Sequence, residues 1–325
     1  PPRTVSWRLR DVETVSLHTE GPAPHVAPGL TGQIRHNALF LGANVREAVN
    51  DGRADYTPVF LSEIPAFIAH GPLKIDVALL QISPPDRHGF CRLGMSVSCA
   101  RAAADNARVV IGMVNRRVPL TLGNSAVHVS RFASLVEIDR PLPTVTPASI
   151  GEIERQIGEH VASLIPDGAT LQMGIGAIPD AVLSCLGNRH DLGVHTEMFS
   201  DGLLKLAEAG VITNRLKNTW RGRIVTSFAL GSQRLYDFVD GNPFVEFHAS
   251  DIVNDTREIR RIHRMIAINS ALEVDLTGQV VADSIGEHIY SGIGGQMDFV
   301  RGASLAHDGK AAIALPATAK GGSLS

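Results

Sequence analysis

The stretch "ATLQMGIGAIPDAV" (169–182) carries a strand, a turn and the start of a helix in immediate succession. Ala169 to Met173 reads as a strand that ends at a glycine. Gly174, Ile175, Gly176, Ala177 and Ile178 make the turn, and Pro179 is expected at the favoured first position of a helix. The same alternation runs through most of the chain. "VETVSL", "HNALFLG", "VALLQIS", "ARVVIGMV", "GRIVTSFALG" and "MIAINSALEVD" are short apolar runs of the kind required by strands buried on both faces. Segments such as "SEIPAFIAHG" and "IPDAVLSCLGN" between them have helical spacing. The expected class is therefore α/β with mostly parallel sheets.

Prolines 141, 143 and 147 in "DRPLPTVTPAS" (139–149) interrupt helix and sheet alike and mark a domain boundary. The expected domains are 1–143 and 144–325. Ser149 and Glu152 then stand at capping-box spacing before a helix whose apolar face is Ile150, Ile153, Ile157, Val161 and Leu164.

The two halves echo each other in order. "VSLHTEGPAP" (15–24) matches "LGVHTEMFSDG" (192–202), and "ALFLGANVREAVNDGRADYTPVF" (38–60) matches "SFALGSQRLYDFVDGNPFVEF" (227–247). A further apolar strand follows in each half. This pattern predicts two similar α/β domains, a quasi-duplication, with an active site in the cleft between them.

With 325 residues, 44% hydrophobic and 19% charged, the chain has ample material for two cores. Its net charge of −3 is spread out, unlike the basic footprint of a nucleic-acid binder, and no apolar run is long enough to span a membrane. Cys91, Cys99 and Cys185 form no pair or framework, which fits a reducing cytoplasm. The 13 histidines show no metal-ligand spacing, so no metal is expected. Neither end carries a targeting motif, and both read as cut: "PPRTV" lacks a Met and "KGGSLS" stops on glycine and serine.

Several features compete for the chemistry. Glu197 in "HTEMF" lies among apolar neighbours, where a carboxylate is costly unless paired, exposed or used. Its counterpart Glu20 runs instead into a Gly-Pro-Ala-Pro loop. The glycine turn at 174–178 lacks the third glycine of a dinucleotide fingerprint, since Pro179 occupies that position. "SGIGGQMDFVRGA" (291–303) is a second glycine turn, and together the turns suggest a site lined by backbone amides suited to an oxyanion. His195 reads as a packing neighbour of Glu197, Glu273 as a rival carboxylate in a structural ion pair, and Cys91 as buried. "REIRRIHR" (257–264) reads as a solvated face. No serine-hydrolase elbow occurs.

"GIGAIPDAVL", "LGVHTEMFSDGLLKLAEAGVITN", "QISPPDRHGFC" and the run from "INSALEVDLTGQVVADSIG" to "SGIGGQMDFVRGAS" together resemble the acetyl-CoA hydrolase/transferase family, in its 4-hydroxybutyrate CoA-transferase branch. The resemblance covers nearly the whole chain, although family members extend further at both ends. It implies a two-domain CoA-transferase fold and an acyl-CoA:carboxylate CoA-transferase using 4-hydroxybutyrate, butyrate or acetate, with Glu197 as the nucleophile that becomes a glutamyl-CoA thioester. It implies that Gly174 to Ile178 bind the CoA side and that Asn254 of "SDIVND" stands near the thioester. It further implies that Gly294 and Gly295 belong to the oxyanion loop, with Gly295 the amide donor, and that Lys320 of "TAKGG" contacts CoA. Coenzyme A would be a substrate, with no permanently bound cofactor. An acyl-CoA hydrolase using the same glutamate and a non-catalytic CoA or nucleotide binder are the alternatives. A homodimer is the expected assembly by base rate.

Overall fold

The computed structural model describes residues 10–146 and 149–318. They form two compact units, each discontinuous in sequence: residues 10–60, 271–294 and 317–318 in one, 61–146, 149–270 and 295–316 in the other.

The larger unit is built on a seven-stranded, all-parallel sheet. Its spatial order is Lys310–Ala314, Met265–Ser270, Thr170–Met173, Gly193–Phe199, Ile224–Ala229, Val245–Phe247, Leu122–Gly123. Both faces are covered, which is why its strands lack polar alternation. Met265 and Ala267 join one cluster with Ile259, Phe299 and Ala303, while Ile266 and Ile268 join another with Leu171, Val182 and Leu203. From Thr170–Met173 the chain adds strands in one direction and then crosses back to add Met265–Ser270 on the other side. Such a reversal leaves a crevice beyond the carboxyl ends of the strands, where open α/β sheets bind ligands. A second parallel sheet in this unit orders Val77–Ile82, Val109–Asn115 and Ser134–Ile138.

The smaller unit has a parallel sheet of Val12–Ser16, Ile34–Ala38 and Asp55–Tyr56, with helix Ala43–Asn50 after its second strand. The larger unit has the same order in Gly193–Phe199, Ile224–Ala229 and Val245–Phe247, with helix Gln233–Val239 after the second. The echo read in the sequence is thus an echo of topology. The run expected as one strand over 265–275 is divided: Met265–Ser270 stays in the large sheet, while Glu273–Val274 pairs with Val280–Val281 in a hairpin of the smaller unit.

Two local expectations need correction. The helix after the proline-rich stretch is Glu152–Ser163, capped by Gly151 without a side-chain bond, so Ser149 and Glu152 form no capping box. It buries Gly158, Val161 and Ala162 and leaves Ile150, Ile153 and Leu164 exposed. Close approach decides this: a Cβ on Gly158 would meet the Ala181 backbone at 2.8 Å. Pro179 is the third residue of helix Ala177–Ser184, not the first. It is tolerated for the same reason, because first-turn N–H groups have no partner within the helix.

Candidate active site

Glu197 is two residues from the carboxyl end of Gly193–Phe199. That strand pairs with Thr170–Met173 only at Gly193 and Val194, so the two diverge before Glu197 is reached. Thr196 spans the divergence, its hydroxyl donating to Met173 O at 3.2 Å and accepting from Met173 N–H at 3.3 Å. On the far side Thr226 donates to the Glu197 carbonyl at 3.1 Å. The Glu197 carbonyl is held by Thr226, and the residue lies past the last ladder pair with Thr170–Met173.

The side chain is only partly covered, yet Oε2 is buried and has no hydrogen-bond partner among the described residues. Desolvation is the main reason its carboxyl is pushed up to about 8, and the charge of Asp298 adds to it. Above it lies Gly295, which caps helix Gln296–Leu305. A Cβ at Gly295 would meet Asn254 Nδ2 at 2.3 Å and the Glu197 Cδ and Oε1 at 3.3 Å, so only glycine fits. Asn254 is fully buried and its Oδ1 has no partner among the described residues. Three residues singled out in the sequence, Glu197, Asn254 and Gly295, therefore converge on one point.

Gly174 to Ile178 follow directly on Met173, and so leave the sheet beside the Thr196–Met173 bridge. Gly176 has φ +117°, a conformation open to glycine, and caps helix Ala177–Ser184, while Ile175 is 60% exposed. Beneath the loop Gln172 and Asn269 exchange amide hydrogen bonds of 3.2 and 3.0 Å. Gly294 belongs to the smaller unit, has φ +58° and sits against Phe40. Lys320 lies outside the described residues.

His195 is buried and held neutral, its ring pushed down to about 3 chiefly by desolvation, with Nε2 bonded to Val253 O at 2.8 Å. Its one N–H is spent on the Val253 carbonyl, which makes it a packing neighbour of Glu197. Glu273 is exposed on its hairpin, and the Cys91 thiol is buried and pushed up. In 257–264 the arginines face outward, while Ile259 and Ile262 are buried. Among the described residues no cluster of His, Cys, Asp and Glu is disposed to hold a metal, and no helix is long and apolar enough to cross a membrane.

Sequence reading missed two members of the site. Asp298 is 5% exposed and pushed up to about 6 by burial; it accepts from Ser62 N–H at 3.2 Å and Ser62 Oγ at 2.8 Å. Asp298 was visible inside "GGQMDF", three residues past Gly295, but nothing in the string connects it to Ser62.

Comparison with known proteins bears on this geometry. Residues 12–146 match the acetyl-CoA hydrolase/transferase N-terminal domain and residues 231–325 the C-terminal domain. A 4-hydroxybutyrate coenzyme A transferase of Clostridium kluyveri is 48% identical over 97% of this chain and 73% of its own length. The chain belongs to the acetyl-CoA hydrolase/transferase family. Another of its relatives there, a succinyl-CoA:acetate/propanoyl-CoA:succinate CoA transferase of Fasciola hepatica, is 46% identical over 97% of this chain; the chain spans 66% of that protein. Among solved structures, a 4-hydroxybutyrate CoA-transferase of Porphyromonas gingivalis superposes with a TM-score of 0.80 at 35% identity, covering 97% of this chain and 80% of that one. The α/β fold with mostly parallel sheets is that of these CoA-transferases.

Proposed function

We propose that the chain carries the site of an acyl-CoA:carboxylate CoA-transferase of the 4-hydroxybutyrate, butyrate or acetate type, working by a ping-pong route through a glutamyl-CoA thioester on Glu197. The observation that carries this reading is the Glu197 carboxyl, whose Oε2 is buried and unpartnered among the described residues and whose Oε1 shares the approach to Gly295 with Asn254 Nδ2. Moving CoA between acids must keep the free energy of the thioester, which an acyl-serine would lose. A carboxylate keeps it. Glu197 attacks the acyl-CoA carbonyl, releasing CoA thiolate and leaving an acyl-glutamyl anhydride. The thiolate then attacks the Glu197 Cδ, giving the glutamyl thioester and the free carboxylate of the first acid. A second carboxylate reverses both steps and leaves with CoA.

Each addition places negative charge on a carbonyl oxygen. The Gly295 amide and Asn254 Nδ2 are suited to receive it, and one such donor is typically worth about 10² to 10³ in rate. Gly174 to Ile178 would bind the CoA side, since backbone amides at a helix start favour its anionic groups. Gly294 would complete the oxyanion loop and Lys320 would contact CoA. No resident cofactor enters this route. The halves 1–143 and 144–325 would correspond to the family's two domains, and three free cysteines suit a reducing cytoplasm.

Intact mass after incubation with butyryl-CoA tests the reading, with Glu197→Gln in parallel. A CoA adduct is expected on the native chain and none on the variant, and added acetate should discharge it as acetyl-CoA. Discharge by water alone would assign hydrolysis instead. Binding of CoA without any adduct would leave a non-catalytic binder.

A further inference from the structure

Asp298 presents a puzzle: the transfer route makes no use of a second carboxyl, yet this one is buried beside the nucleophile and its charge makes Glu197 harder to ionise. It stands in the first turn of helix Gln296–Leu305, and both its oxygens are gripped by Ser62. Its remaining contact is with Asn254, whose Nδ2 donates to Asp298 Oδ2 at 3.4 Å. A carboxylate accepts only, whereas a carboxamide offers a donor at one end and an acceptor at the other. Among the described residues nothing bonds to Asn254 Oδ1. Asp298 is therefore what distinguishes the two ends of this amide.

We infer that Asp298 is a positioning residue: clamped by Ser62, it holds the Asn254 amide with Nδ2 toward Gly295 and Glu197, so that an N–H and not a lone pair meets the reacting carboxyl. Reversed, Asn254 Oδ1 would face the Glu197 carboxylate as it attacks and an oxyanion during transfer, which is repulsive in both. This inference rests on Glu197 being the residue that takes up CoA.

Pre-steady-state adduct formation with butyryl-CoA tests it, read as a saturating rate and a half-saturating concentration. Asp298→Asn keeps the shape but abolishes the preference for a donor. It is expected to lower the saturating rate by about 10- to 100-fold, on the scale of one mispositioned donor, with the half-saturating concentration unchanged within about two-fold. Measured above about pH 9, where Glu197 is ionised with or without the charge of Asp298, the same substitution in an Asn254→Ala background should change the rate by less than about two-fold, because the group it positions is gone. Ser62→Ala, which keeps the carboxylate but loosens it, should give a smaller loss that also vanishes in that background. Should Asp298→Asn unfold the chain, the Ser62→Ala and Asn254→Ala cycle decides alone. Losses that multiply in the double variants, or single variants indistinguishable from the native chain, would overturn the inference while the adduct still forms. A native chain that forms no adduct would remove the nucleophile reading and this inference together.

Discussion

At the scale of single residues, the site turns on a carboxyl kept from water. Burial holds Glu197 up at about 8, so near neutrality most resting molecules carry it protonated. On the proposed route the attacking form is the carboxylate. The rate of adduct formation at low butyryl-CoA should therefore climb as pH rises from 6 and level off above about 8, since this quantity follows the free enzyme. A limb near the ordinary glutamate range would show that burial does not govern the nucleophile. Neutralising Asp298, pushed up to about 6, would ease the Glu197 shift at the acidic end of that range. Glu197, Asn254 and Gly295 could be picked out because each sits in a distinctive string. The role of Asp298 could not, since Ser62 is 236 positions away and only folding brings its donors to the carboxyl.

At the scale of elements, the site is made where strands stop and helices begin. Gly295 ends one such junction with no space for a side chain. Gly295→Ala would push a methyl into Asn254 Nδ2. Overpacking of this kind usually costs about 1–3 kcal/mol. We expect a lowered melting midpoint, together with adduct formation reduced by about 10²-fold or more through the displaced donor. A midpoint shift with undiminished adduct formation would show that the Asn254 amide is dispensable. The strands of the large sheet were legible because burial on both faces leaves continuous apolar runs. Their limits were less so. The run at 265–275 keeps its apolar character past Ser270, and nothing local announces that the chain leaves for a hairpin there. The helix after the prolines was placed correctly, and Ile157 and Val161 of its expected face pack into the core, while Ile150, Ile153 and Leu164 stay exposed. Small residues, Gly158 and Ala162, set that face by allowing close packing, whereas large apolar residues had been expected to mark it.

At the scale of the whole molecule, each unit is assembled from distant segments. The larger one cannot be completed until residues 295–316 return to it. Met265–Ser270 is fully buried over Met265 to Ile268 and takes Lys310–Ala314 as its outer neighbour. A chain ended at Gly294 would leave that apolar strand as an open edge and strip Phe299 and Ala303 from the cluster against it. Such a chain should aggregate and bind a hydrophobic dye strongly; recovery as a dye-silent monomer would contradict this account. The recurrence of blocks in the two halves was legible, while the order of strands in the sheet and the crossing back over Thr170–Met173 were not, because parallel neighbours far apart in sequence leave no mark in it. The reversal and the early divergence of Gly193–Phe199 from its neighbour leave Glu197 beyond the last ladder pair with Thr170–Met173. Thr196 ties both backbone groups of Met173 to one oxygen. The divergence is therefore braced and not frayed: on the proposed route an acyl-CoA would meet Glu197 beside a strand pair that has no ladder left to unzip.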